Sequence, residues 1–241
     1  MAQSVVLAIE TSQRKGGVAL RDAAGVAHVE WVAANLRHDD DLLPAIDRLS
    51  RRVGLEPEAT DAVGVSIGPG GFTGLRIAVS TAKMLGEALG CALVAVPSAL
   101  VAAGSYQGAG PIIVALASKA DTCWVTRIER VCDRCVPADY GRLADVRSLE
   151  LRAIKALIGD DFLPSGFRDA CSAAKVAIID PKFDPSACLA ATEQRLKQGD
   201  TTDPLGLGPR YPRRPEAVVK WRGGGGRLSP IGRKGPRDRG L

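Results

Sequence analysis

Histidine is almost absent from this chain of 241 residues. There are two, His28 and His38. A metal site on a helix needs two histidines one turn apart with an acid nearby, and a hydrolase needs a nucleophile beside its base. Neither pattern can be assembled from two isolated histidines, and none of Ser12, Ser66 or the six cysteines gains a partner from them. Aromatics are also scarce, at 4%, so the core must be built from Ala, Val, Leu and Gly, as in an α/β sheet with covering helices. Long apolar runs are missing too. The best, Ala92 to Ala103, is broken by Pro97 and falls short of the roughly 18 residues a spanning helix needs. Met1 to Thr11 has no basic leader region and reads directly as a strand, so a soluble, cytoplasmic protein is expected. In a reducing compartment Cys91, Cys123, Cys132, Cys135, Cys171 and Cys188 are expected as free thiols. Cys132-Asp-Arg-Cys135 has the spacing of half a zinc site or a redox pair, but no second such pair follows.

The net charge is +5. It resides in residues 222–241, where Arg222, Arg227, Arg233, Lys234, Arg237 and Arg239 face a single acid, Asp238. Residues 1–221 therefore sum to zero. The GGGG run and scattered prolines of that segment predict a disordered basic tail. It offers weak, salt-sensitive attraction to RNA or is simply a solvated extension.

Periodicity supplies the elements. Ser4–Glu10 reads as a buried strand, and Gly17–Arg21 and Val26–Trp31 as two more joined by a turn from Asp22 to Gly25. His38 to Gly54 predicts a helix with Leu42, Ile46, Leu49 and Val53 on one face. Asp39, Asp40 and Asp41 sit in its first turn, where the helix dipole favours acids, and Pro44 reads as near its start. Ala62–Ile67 is a strand, Phe72 to Gly90 a long helix and Leu93–Val96 a strand. This βββαβαβ order predicts a mixed sheet. Beyond it, Ile112–Ala117, Cys123–Ile128 and Val176–Ile179 read as strands, and Leu149–Ile158 and Ala187–Lys197 as helices, in a half that resembles a degenerate second copy.

The most informative stretch is SIGPGGFTGLRIA, from Ser66 to Ala78. Four glycines surround Pro69 between a strand and a helix. Glycine permits positive φ and close approach, and a helix start can hold an anion, so the turn is either a phosphate loop or a tight structural turn. It is not a P-loop, because no Gly-Lys-Ser/Thr follows, and its spacing is one residue too long for a dinucleotide loop. In the following helix Gly74, Ala78, Ala82 and Gly86 recur every four residues. A ridge that bare accepts another helix closely, either within its own domain or from a partner, with Leu75, Val79, Leu85 and Leu89 supplying apolar area beside it.

These residues carry a resemblance. GPGGFTGLRI (Gly68 to Ile77), LAIETS (Leu7 to Ser12), HDDDLLP (His38 to Pro44) and PRYPRRPEA (Pro209 to Ala217) resemble, in order, four motifs of the TsaB/YeaZ family. Gly71 stands in the family's usual Ser place, Ala78 in its usual Gly place, and Glu10 replaces the commoner Asp. The stretch ASKADTCW, Ala117 to Trp124, departs from the family pattern.

The resemblance implies an α/β fold of the actin, heat-shock-ATPase and sugar-kinase type. Its two ribonuclease-H-like lobes are each a mixed sheet covered by helices, expected here as residues 1–104 and 105–221 ahead of the 222–241 tail. It implies a non-catalytic subunit, without a metal site, that pairs with a TsaD-type catalytic subunit. A TsaE-type ATPase joins them, and the complex makes N6-threonylcarbamoyladenosine at position 37 of tRNA, which this chain contacts only through the complex. A homodimer is expected when the partner is absent. In the family the helices matching Asp39–Val53 and Thr73–Leu89 form the pairing surface. Leu42, Leu43, Ile46, Gly74, Ala78, Ala82, Leu85 and Gly86 are the interface candidates here. Gly68, Pro69, Gly70, Gly71, Phe72, Thr73, Gly74 and Arg76 are candidates to line a nucleotide cleft. No cofactor of its own is expected, and ATP or ADP would sit at the joint with the partner. Tyr211, Arg213 and Arg214 are expected to tie the chain end to the body. A diverged ATP-dependent enzyme or peptidase-like protein of the same fold is the alternative, and a stand-alone RNA binder driven by the tail a third.

Overall fold

In the computed structural model, residues 3–33, 38–131 and 134–212 are described, residues 38–40 by backbone alone. The first sheet comprises β1 (Val6–Glu10), β2 (Gly17–Arg21), β3 (Ala27–Trp31), β4 (Ala62–Gly68) and β5 (Ala92–Pro97), in the order β3-β2-β1-β4-β5. β1, β2 and β3 form an antiparallel meander; β4 runs parallel to β1 and β5 parallel to β4. The crossovers are α1 (His38–Val53) and α2 (Phe72–Leu89), and α3 (Ser98–Ala103) leads out.

The second sheet repeats that plan. It contains β6 (Gly110–Ala117), β7 (Cys123–Val131), β8 (Arg134–Pro137), β9 (Arg142–Ala144), β10 (Ala156–Ile158) and β11 (Ala177–Ile179). Its order is β11-β10-β6-β7-β8, with β9 also pairing with β7. β7 is antiparallel to β6, while β10 runs parallel to both β6 and β11. The meander is thus at one edge and the parallel strands at the other, as in the first sheet, which is the ribonuclease-H-like arrangement in duplicate. α4 (Ser165–Ala174) links β10 to β11, and α5 (Pro185–Lys197) follows.

Strand alternation assigns each side chain to a layer. From β1, Leu7 and Ile9 pack with Leu42, Ala45 and Leu49 of α1 and with Ala78, Val79 and Ala82 of α2. Val6 and Ala8 face the other way, into a central core with α3 and with Cys188 and Leu189 of α5. Ile112, Val114 and Leu116 of β6 enter the same core from the second sheet. Ile113 and Ala115 face outward instead, onto Phe167 and Cys171 of α4. The layers are therefore α1/α2, first sheet, α3/α5, second sheet, α4. α5 belongs in sequence to the second half but packs on the first sheet, and Arg21 of β2 grips its Glu193 through Nε at 2.6 Å and Nη2 at 3.0 Å.

Most predicted elements of the first half are present within a residue or two of their expected bounds. Pro44 stands inside α1, in its second turn. The second half needs corrections. Leu149–Ile158 is not a helix: a 3-10 turn spans Val146–Ser148, Ala153 adopts a left-handed φ of 63°, and Ala156–Ile158 is strand β10 between β6 and β11. A central strand buried on both faces is apolar throughout, so its residues imitate one face of a helix. α3, α4, β8 and β9 had no prediction. Residues 222–241 lie outside the described part of the chain.

Candidate functional site

The Gly68–Gly74 turn is closed onto the end of β1. Gly71 N–H donates to the Ser12 carbonyl at 2.7 Å, and Thr11 Oγ1 donates to the Gly74 carbonyl at 2.9 Å. A Cβ on Gly70 would collide with the Ser12 carbonyl. Gly68 has φ of 102°, and a Cβ there would lie 2.7 Å from the Arg210 carbonyl and 2.8 Å from Leu75 Cδ1. Here, then, glycine serves close backbone packing. The helix-start N–H of Gly71 is engaged by protein rather than offered to an anion.

The two ends of the sequence signature meet at this turn. Arg210 N–H donates to the Ile67 carbonyl at 2.6 Å, and Arg76 Nε donates to the Tyr211 hydroxyl at 3.0 Å. The Tyr211 and Phe72 rings lie 5.4 Å apart, and the Arg76 guanidinium sits 3.8 Å over the Phe72 ring, a stacked cation–π arrangement. Tyr211 thus ties the chain end to the start of α2, while Arg213 and Arg214 lie outside the described residues.

Between the lobes, where β1, β4, β6 and β10 end, there is a cleft of about 350 Å³. Pro69 and Gly70 line one wall, Ala117, Ser118 and Phe162 the other, and Pro212 closes one side. The divergent stretch Ala117–Trp124 is the β6–β7 hairpin, so its departures fall on this wall.

Just inside, Glu10 is fully buried at the end of β1. Its Oε1 accepts from Ser12 N–H at 2.7 Å, while Glu10 Oε2 and Ser12 Oγ have no partner among the described residues. Burial pushes the Glu10 carboxyl above its ordinary 4.5, against the opposing pull of the nearby Ser12 and Ser66. The neighbouring Cys188 thiol is raised well above its usual range, first by burial and then by Glu10. Cys123 is pushed up to about 12, chiefly by burial. These are protonated thiols, poor nucleophiles and poor metal ligands. His28 Nε2 lies 2.8 Å from Asp22 Oδ2 on the β2–β3 turn, so it does not join Ser12. Among the described residues no three His, Cys, Asp or Glu side chains gather as a metal site.

The interface candidates divide by exposure. Gly74, Ala78, Ala82 and Gly86 are buried, as is Leu42. The reading of the bare ridge as a partner surface therefore yields to its use inside the fold: it seats α2 on its own sheet, where a Cβ on Gly86 would press 2.8 Å from Leu93. Leu43, Phe72 and Met84 are exposed, and Ile46, Ile77 and Leu85 half-buried. On the β3 side of α1 the charges are internally matched. Arg48 donates to Asp41 from Nη1 at 2.7 Å and Nη2 at 3.0 Å, and to Glu30 at 3.0 Å, while Arg52 donates to Glu30 at 2.6 Å. Asp41 is buried and also accepts from Ala33 N–H, so beyond complementing the dipole it anchors the start of α1. Phe72 and Met84, the exposed apolar residues of α2, carried no helical-face signal of their own in the sequence.

Comparison with known proteins agrees with the motifs. The family model described as "TsaD: tRNA N6-adenosine threonylcarbamoyltransferase" matches residues 32–149. The tRNA threonylcarbamoyladenosine biosynthesis protein TsaB of Bacillus subtilis is 27% identical over 235 residues, covering 90% of this chain and 97% of that protein. The TsaB protein of Haemophilus influenzae is 27% identical over 154 residues, 62% of this chain and 63% of that one. The structure of YeaZ from Pseudomonas aeruginosa superposes with a TM-score of 0.71 at 23% identity, covering 87% of this chain and 100% of that chain. Another Pseudomonas aeruginosa structure, described as similar to peptidase YEAZ, gives 0.73 at 22% identity over 88% of this chain and 100% of that one. Four ordered motifs and the repeated sheet plan agree with this likeness, which makes the chain similar to TsaB/YeaZ proteins along most of its length.

Proposed function

We propose that this chain is a non-catalytic partner of a TsaD-type subunit in the synthesis of N6-threonylcarbamoyladenosine at position 37 of tRNA. The observation that carries the reading is the outer face of α1 and α2. Leu43 and Met84 stand exposed there, beside half-buried Ile46, Ile77 and Leu85, while the nearby charges of α1 pair with one another. An apolar helix-pair face with its charges matched at the edge suits a protein partner. The catalytic role falls to that partner, since the acid and hydroxyl at the end of β1 and the Cys188 thiol beside them are buried with no histidine near them among the described residues. Any ATP or ADP belongs at the joint between subunits, because the glycine turn is filled by Ser12. A TsaE-type ATPase completes the assembly, and without the partner the same face pairs two copies.

Co-purification with the TsaD-type subunit of the same cell, followed by an assay of the modified adenosine, tests this. The two proteins should form a complex, and modification should require both. Met84→Arg and Leu43→Arg change exposed side chains, so the chain should stay folded and lose the complex. A complex that tolerates both substitutions at normal affinity would move the docking face elsewhere. Modification that proceeds without this chain would overturn the proposal.

A further inference from the structure

On the opposite side of the first sheet from α1 and α2, a cavity of about 290 Å³ lies between α3, α5 and the β7–β8 hairpin. Among the described residues its charged lining consists of two arginines, Arg130 of β7 and Arg195 of α5. Arg130 is 8% exposed, and its Nε is buried with no hydrogen-bond partner. Among the described residues its side chain makes one hydrogen bond, from Nη1 to Cys135 Sγ at 3.6 Å, and pairs with no carboxylate. Arg195 spends Nη2 on Asp200 at 2.8 Å but leaves a buried Nε unpartnered. Gln194, whose amide donates to the Cys135 carbonyl at 3.1 Å, adds polar lining. Leu100 and Val136 supply apolar walls.

A buried guanidinium stays charged, because arginine cannot shed its proton within the range a protein tolerates. Removing that charge from water is costly unless an opposite charge compensates it. Cys135 provides none. Burial raises its thiol pKa more than Arg130 lowers it, so the guanidinium faces a neutral S–H. Two guanidinium groups lining one cavity, each with a buried Nε–H that has no partner among the described residues, suit a planar or tetrahedral oxyanion.

We propose that this cavity is an anion site, taking a small molecule with a phosphate or carboxylate head against Arg130 and Arg195 and a short aliphatic body against Leu100 and Val136. It is separate from the partner face and from the cleft between the lobes.

The test is calorimetric titration of the full chain at constant ionic strength with two probes, inorganic phosphate and butyrate. At least one should bind saturably with a stoichiometry of one. Arg195→Ala should weaken it about tenfold or more, the loss of one charge-assisted hydrogen-bonding partner, and Arg130→Met should abolish it. Preference between the probes identifies the head group. Should Arg130→Met fail to fold, Arg195→Ala decides, since its side chain is partly exposed. No saturable binding of either probe overturns the proposal, as does binding that Arg195→Ala leaves unchanged.

Discussion

The two lobes share a strand order and little else. In the first, the turn after β4 is packed glycine by glycine onto the end of β1, and two long helices cover the outer face. In the second, the turn after β10 has a single glycine, Gly159, where the nearest atoms a Cβ would meet are the side-chain ends of Leu157 and Leu163, at 3.2 Å, and not backbone. The outer face there is closed by the ten-residue α4, which buries only Phe167 and Cys171. The position of α1 is taken by an irregular segment around Val146–Ser148. The sheet plan repeats, while helices and turns differ: the first lobe presents a helix-pair face, and the second packs against it through the shared central core.

The sharpest way to break this contrast is Ala82→Arg. Ala82 is fully buried between α2 and the sheet, so a charge there should cost more than about 4 kcal/mol and unfold the chain, whereas Met84→Arg two residues on should leave the melting temperature nearly unchanged. Phe167→Ala in the second lobe should cost about 3–5 kcal/mol. Because the central core joins both sheets, calorimetry should still record one transition; two would show that the lobes fold separately. Next is the pair of strand-end glycines. Gly68→Ala, with φ of 102° and two contacts below 3 Å, should cost about 2–3 kcal/mol, and Gly159→Ala, 3.2 Å from Leu157 and Leu163, less than about 1 kcal/mol. Equal costs in denaturant unfolding would mean that the two turns are equally tight.

Glu10 gives a pH signature to the first lobe. Its folded-state pKa is raised by burial, so the folded chain holds that proton more tightly than the unfolded one. The associated stability is fully present below about 4.5 and is lost as pH rises through the raised value. Glu10→Gln should therefore be more stable than the parent at neutral pH and no different in acid, as thermal melts across that range would reveal. The smallest effect is expected from Tyr211→Phe. It keeps the ring against Phe72 and loses only the exposed bond from Arg76, a change of less than about 1 kcal/mol.

The sequence made the first lobe legible because its local signals agree. Alternating strands, the helical stripe from Leu42 to Val53 and the glycine turn all point to one arrangement. It misled where tertiary context decides. Ala156–Ile158 reads as helix until β6 and β11 flank it. α4 opens on Ser165-Gly166 and buries too few residues to leave a periodic stripe. The Gly74–Gly86 ridge was visible as a close-packing device, but spacing does not say against what, and the partner proved to be the chain's own sheet. Arg130 and Arg195 were invisible as a pair, since 65 residues separate them and only the packing of α5 on the β7–β8 hairpin brings them to one cavity.

The crossing of α5 from the second half onto the first sheet also sets a timetable for synthesis. Once Pro97 has been added, all five strands of the first sheet exist, yet Val6, Ala8, Ala19, Val94 and Val96 wait for a cover that ends at Lys197. At roughly 5–20 residues per second, that interval lasts on the order of 5–20 s. During it the nascent chain carries that apolar face without its α5 cover.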